Sequence, residues 1–235
     1  MLTALLWGGV AASSLVIGAL AGVVRDWNPR LIGWVLGFGA GALVASISFE
    51  LAEEGFHVGG AVPVALGLAV GGVMFFLADK GVARIGGRGA GAAAGLPLAL
   101  GALLDGIPEQ AVLGIGIAGG GAVSISLLVA IFVSNLPEAI GSASDLKAAG
   151  TPRGRIVLGW IAVALLCTVA TLVGYQFQEA AGRQLQGGID GFAAGALLVM
   201  LVTSMIPEAT EKARDQAGLA AVLGFAVAAG LSLSS

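Results

Sequence analysis

Gly37-Phe38-Gly39-Ala40-Gly41-Ala42-Leu43 and Gly191-Phe192-Ala193-Ala194-Gly195-Ala196-Leu197 are one heptapeptide written twice, with a single Gly/Ala exchange. Seventeen residues on from each leading glycine stands a carboxylate, Glu54 in the first copy and Glu208 in the second. Each copy lies in an apolar run long enough for a helix to cross a bilayer, which takes about 20 residues. Six more runs of the same kind fill most of the remaining sequence. The eight cover residues 2–24, 31–52, 59–78, 93–117, 122–146, 156–179, 188–210 and 217–233. The pattern predicts an all-α polytopic membrane protein, with eight transmembrane helices forming a single transmembrane domain over 1–235.

Composition points the same way. Of 235 residues, 57% are hydrophobic and 11% charged, whereas an ordinary soluble domain is about 25% charged. That excludes a soluble domain, a disordered tail and a nucleic-acid binder, which needs a basic face. The lipid bilayer is the partner that such a surface requires. Arg25 is the first basic residue. Met1 to Val24 therefore lacks the basic leader of a secretory signal and reads as a retained span. The single cysteine, Cys167, excludes an intramolecular disulfide and reads as packing. The single histidine, His57, excludes any site that needs two.

The basic residues are placed on one side. The connections between runs one and two, three and four, five and six, and seven and eight hold Arg25, Arg30, Lys80, Arg84, Arg88, Lys147, Arg153, Arg155, Lys212 and Arg214, ten of the eleven. Only Arg183 lies elsewhere. The positive-inside rule places those four connections in the cytoplasm and both termini outside, as expected for a multi-pass protein of the cell (inner) membrane. In that orientation the two heptapeptide copies run in opposite directions. Inverted repeats of this kind frame the substrate site of many secondary transporters. The glycine spacings Gly33/Gly37/Gly41, Gly67/Gly71, Gly91/Gly95 and Gly191/Gly195 read as close helix packing, and would also suit a homodimer. Trp7, Trp34 and Trp160 fall near run ends and read as interfacial anchors.

The chemistry sits in runs four and five. Asp105-Gly106-Ile107-Pro108-Glu109 and Ser134-Asn135-Leu136-Pro137-Glu138 place three carboxylates near the middle of the membrane, and Ile206-Pro207-Glu208 repeats the Pro-Glu pair. Each buried acid costs roughly 2.5–3.5 kcal/mol, and no Lys or Arg occupies a run centre. The acids are therefore protonated or bind a cation. Asp105 and Glu109 are four apart, on one helix face, as are Ser134 and Glu138, with Asn135 three before Glu138. Two such faces opposed would offer four or five oxygen ligands, the donor type that hard divalent cations prefer. Pro108 and Pro137 free the carbonyls of Leu104 and Val133 as further acceptors. Glu50 and Glu54 at one mouth and Glu208 at the other would draw cations in and lead them out, while Glu53, Glu211 and His57 read as solvated surface residues.

These segments resemble the HNxPEG-type motifs in spans four and five of the ZIP (Zrt/Irt-like) divalent-metal transporters, and the resemblance runs from about residue 31 to 210. It implies eight spans with both termini outside and a 3+2+3 inverted-repeat arrangement. It also implies a main metal site at Asp105, Glu109, Ser134 and Glu138, with Asn135 surviving from a neighbouring second site. Departures are specific. Gly106 stands where the family has Asn, Gln110 and Ala139 where it has Gly, and Cys167 where many bacterial members have a span-six acid. Residues 79–92 contain no His, so the family's His-rich loop is missing. Both motif histidines are replaced, which makes the site oxygen-rich.

The function expected is transport of a divalent metal ion, zinc foremost with Mn, Fe or Cd as alternatives, from outside into the cytoplasm, with no resident cofactor. A proton-coupled carrier of another substrate and a transport-dead metal sensor fit the same residues. An enzyme is not expected, since neither G-x-S-x-G nor a phosphate-binding G-x-x-x-x-G-K-[ST] occurs.

Overall fold

A computed structural model describes residues 1–86, 95–119 and 123–232. The described residues are almost wholly helical. We number the helices α1 (Leu2–Val24), α2 (Pro29–Gly59), α3 (Ala61–Gly86), α4 (Gly95–Ala118), α5 (Ile125–Ala148), α6 (Arg153–Ala180), α7 (Arg183–Ala213) and α8 (Gln216–Ser232). They coincide with the eight apolar runs. Among the described residues, six helices are long and apolar enough to cross a membrane, covering Leu2–Val24, Pro29–Gly59, Ala61–Val82, Ile125–Ala148, Arg153–Ala180 and Arg183–Ala213. α8 is a shorter apolar helix of 17 residues. α4 stands outside the six and carries Asp105 and Glu109 in its interior. Arg88 and Gly91 lie outside the described residues.

Local chemistry sets the boundaries. Pro29 occupies the first turn of α2, and the Asn28 side chain accepts from the Arg30 N–H at 2.9 Å, which satisfies one of the donors a helix start leaves open. Ser124 does the same for α5, accepting from the Leu127 N–H at 3.1 Å. Gly60, at φ +85°, turns the chain between α2 and α3; a side chain there would be strained.

Packing pairs α3 with α7, α2 with α8, α4 with α6, and α1 with both α5 and α6. Glycine backbones carry these seams. A Cβ at Gly191 or Gly195 would strike the carbonyls of Val64 or Leu68 on α3. One at Gly37 or Gly41 would strike those of Ala217 or Ala221 on α8. The two copies of the heptapeptide thus serve the same task in two different helix pairs. They share a second feature. Ten residues after the leading glycine, each helix widens into a π-helical segment, Ile47–Ala52 in α2 and Leu201–Met205 in α7. Such segments recur at functional sites, and Glu50 lies within the first.

Two expectations are corrected here. Trp160 is buried, 4% exposed, in a cluster with Leu15, Val163 and Cys167. It packs α6 onto α1 and α5 instead of anchoring at an interface. The polar faces of α4 and α5 do not lie along one another: α4 packs along α6 and α5 along α1 and α2. The glycine seams, including Gly114 and Gly174 between α4 and α6, decide these partners.

Candidate metal pathway

α4 and α5 meet at one polar contact. Ser134 Oγ lies 3.0 Å from Glu109 Oε1 and 3.2 Å from Oε2, and also 3.0 Å from the Ile131 carbonyl. Glu109 is 1% exposed and Ser134 fully buried. Gly39 makes this contact possible from the α2 side, since a Cβ there would sit 3.0 Å from Ser134 Cα. Asn135 is 1% exposed, its amide lies against the Glu109 carboxyl, and its Oδ1 is left without a hydrogen-bond partner. A buried amide oxygen left unsatisfied is costly, so this atom is available to a guest.

Asp105 and Glu138 complete the group. Asp105 stands beside Ser204 of the α7 π segment, within electrostatic reach of Glu208. Glu138 stands within reach of Asp105, Glu109, Glu208 and Lys212. The donors in closest contact are an acid, a hydroxyl and an amide: Glu109, Ser134 and Asn135. Among the described residues, no three His, Cys, Asp or Glu side chains converge as ligands of one ion.

Next to Glu109, Gln110 is fully buried, and its Oε1 accepts from the Thr171 hydroxyl at 2.8 Å. It ties α4 to α6 where the resemblance would place a glycine. A Cβ on Gly106 would come 2.9 Å from Cys167 Sγ and 4.0 Å from Asn135 Oδ1. Gly106 and Cys167, the positions where the resemblance implies further ligands, are therefore neighbours in space beside Asn135.

The remaining candidates occupy the two ends. At the end opposite the basic connections, Glu50 on α2 accepts a hydrogen bond from Ser126 on α5, and its second oxygen is buried without a partner. Glu54 is exposed one turn further along. Glu53 pairs with His57, Oε1 to Nε2 3.9 Å, both largely exposed, as solvated helix-end residues do. At the basic end, Glu208 is held by Lys212, Nζ to Oε1 2.5 Å, and Glu211 is exposed. Lys212 also lies against Gly141 of α5. The sequence places Lys212 in the connection after run seven, with no Lys or Arg in a run centre to pair with the acids. In fact α7 continues to Ala213, and the four-carbon stem of Lys212 carries its charge inward. Asp190 and Gln178, buried and joined by a hydrogen bond, also escaped notice, since no motif surrounds them.

A cavity of about 600 Å³ has no carboxylate in its lining. Pro63, Val70, Ile107, Phe177 and Phe192 are among its lining residues, all of them apolar or glycine, so it offers nothing to an ion.

Comparison with known proteins adds one observation. Over 231 residues the chain is 27% identical to a protein of Arabidopsis thaliana named "Putative zinc transporter". The match takes in 94% of this chain, which spans 37% of the length of that relative. No family model matches.

Proposed function

We propose that this multi-pass membrane protein carries divalent metal cations, zinc foremost, through the carboxylate-rich site between α4 and α5. The observation that carries the reading is the buried Glu109–Ser134 contact with the unpartnered Asn135 Oδ1 beside it. An anionic oxygen, a hydroxyl and an amide carbonyl in a dry setting form an oxygen-donor site whose natural guest is a cation. The similarity to a zinc transporter and the six membrane-length helices support the same reading.

In this reading all eight helices span the membrane as a 3+2+3 inverted repeat. The paired glycine seams and the paired π segments support that arrangement. A hydrated ion arrives near Glu50 and Glu54, sheds water as it reaches Asp105, Glu109, Asn135 and Glu138, and leaves past Glu208. Each helix pair of the α2–α8 and α3–α7 seams joins residues from opposite halves of the sequence. A rocking motion therefore moves helices of both halves together. The membrane potential, about 2.3 kcal/mol per charge per 100 mV, favours inward movement of a cation.

The test is uptake into liposomes loaded with a metal-sensitive dye, with Zn²⁺, Mn²⁺, Fe²⁺ and Cd²⁺ supplied in turn. Glu109→Ala and Glu138→Ala are expected to abolish the signal. Wild-type uptake by either variant would sink the assignment. Failure of every metal with folded wild-type protein would turn the reading towards a sensor or a carrier of something else.

A further inference from the structure

At the end of the molecule opposite the basic connections, three helices bring together a second set of polar groups. Asp190 of α7 is 2% exposed and Gln178 of α6 is 6% exposed. Gln178 Nε2 donates to Asp190 Oδ1 at 3.0 Å. Gln186 Nε2 donates to the Gln178 carbonyl at 3.0 Å and holds that turn in place. The α2 backbone presses in through Gly55, where a Cβ would sit 3.0 Å from Asp190 Cβ. Its neighbour Glu54 stands within electrostatic reach of Asp190 and is exposed to water.

Two oxygens of this set are left over. Asp190 Oδ2 and Gln178 Oε1 are both buried and both lack a hydrogen-bond partner. Both are acceptors. Among the described residues, no Lys or Arg forms an ion pair with Asp190 or Glu54. Buried acceptors without a donor call for an electropositive guest. A proton on Oδ2, donated to Gln178 Oε1, would close an acid–amide pair. That arrangement has no use for Glu54. A divalent cation uses all three groups: two buried oxygens as fixed ligands and one mobile carboxylate at the water side.

We propose that Asp190, Gln178 and Glu54 form a capture site for a divalent cation, distinct from the α4–α5 cluster and ahead of it on the path. The site deepens the transport reading and rests on it for its purpose, but its binding is separable. Asp190 holds the ion through Oδ2, Gln178 adds a neutral carbonyl ligand, and Glu54 closes over the ion and releases it inward.

The experiment uses the 235-residue chain with Glu109→Ala and Glu138→Ala combined, in lipid nanodiscs. Mn²⁺ is titrated in and the free ion is followed by electron paramagnetic resonance. One Mn²⁺ per chain should still bind. Asp190→Asn or Gln178→Leu, added to that background, should weaken binding at least tenfold. Glu54→Gln, at an exposed position where folding is not at stake, should weaken it at least threefold. Absence of any residual binding overturns the proposal. So does residual binding that Asp190→Asn and Glu54→Gln leave unchanged, which would mark the buried pair as a structural acid–amide contact. Uptake by the wild-type protein, measured in parallel, reports on the transport reading alone.

Discussion

Lys212 places its ammonium 2.5 Å from Glu208 Oε1, one turn back on the same helix, and its charge also bears on Glu138 of α5. A cation leaving the central cluster would meet a carboxylate already occupied by an internal cation. On the proposed route, Lys212 would keep Glu208 from holding the ion. In Lys212→Met, Glu208 is left free and retains the departing ion. The added retention, about 1 kcal/mol for a part-exposed pair, corresponds to about fivefold slower release. Maximal uptake in liposomes should fall accordingly, and Lys212→Arg should restore it. Uptake by Lys212→Met at or above the wild-type rate would show that Lys212 has no such role.

Ser134 makes a different prediction. Its hydroxyl reaches both oxygens of Glu109 from α5, and hydrogen bonds to a charged group are worth about 1.5–3 kcal/mol. Ser134→Ala leaves Glu109 in place without this tether. Apparent affinity for Zn²⁺ in the uptake assay should drop about tenfold, equivalent to 1.4 kcal/mol. Glu109→Ala should abolish uptake outright. Equal loss in the two variants would mean that Ser134 is itself an indispensable ligand.

The glycine seams predict stability. A side chain at Gly41 would strike the Ala221 carbonyl, and backbone cannot move aside as a flexible side chain can. Gly41→Leu should cost about 3 kcal/mol, the upper range for overpacking. Gly159, which has nothing within 4 Å of an added Cβ, serves as the control. Gly159→Ala should stabilise α6 by about 0.5–1 kcal/mol through helix propensity. Thermal unfolding in detergent checks both signs.

Lys147 at the end of α5 bonds Asp26 between α1 and α2, Nζ to Oδ1 2.8 Å. The hydrogen bond and charge of Lys147 hold the Asp26 carboxyl below its ordinary range. A depressed carboxylate contributes stability that is fully present above its unfolded value, about 3.9, and lost as pH falls through the lower folded value. The stability difference between wild type and Asp26→Asn should stay flat from pH 7 to about pH 4 and close below that. Asp26 is 91% exposed, so high salt should shrink the difference at every pH. Thermal scans across pH and salt provide the check.

Much of the helical layout was legible because membrane helices announce themselves in composition. Apolar runs and Lys/Arg placement located helices at all eight expected stretches. The central acids were legible too, since an isolated carboxylate in an apolar run has few explanations. What escaped notice depended on side-chain reach and helix pairing. Lys212 lies only one position before the last residue of α7, and sequence position alone does not say which way its long stem turns. Asp190 and Gln178 belong to different helices, and their bond depends on the α6–α7 turn. The Pro-Glu motifs suggested that α4 and α5 lie face to face, but backbone contacts at glycine outweigh a few polar groups in choosing a helix's neighbours. No Gly or Pro within Ile47–Ala52 or Leu201–Met205 marks the π segments, so their recurrence became visible only in three dimensions.

The α2–α8 seam has a consequence for how the protein is made. Gly41 and Ala221, which meet across it, are separated by 180 positions in the chain. At about 5–20 residues per second, a ribosome adds the second on the order of ten to forty seconds after the first. Throughout that interval the glycine face of α2 has only lipid, or α5 once it arrives, to lie against. Cells that insert this chain therefore hold a half-assembled bundle with an open groove, and a membrane chaperone or a wrongly paired neighbour has that long to find it.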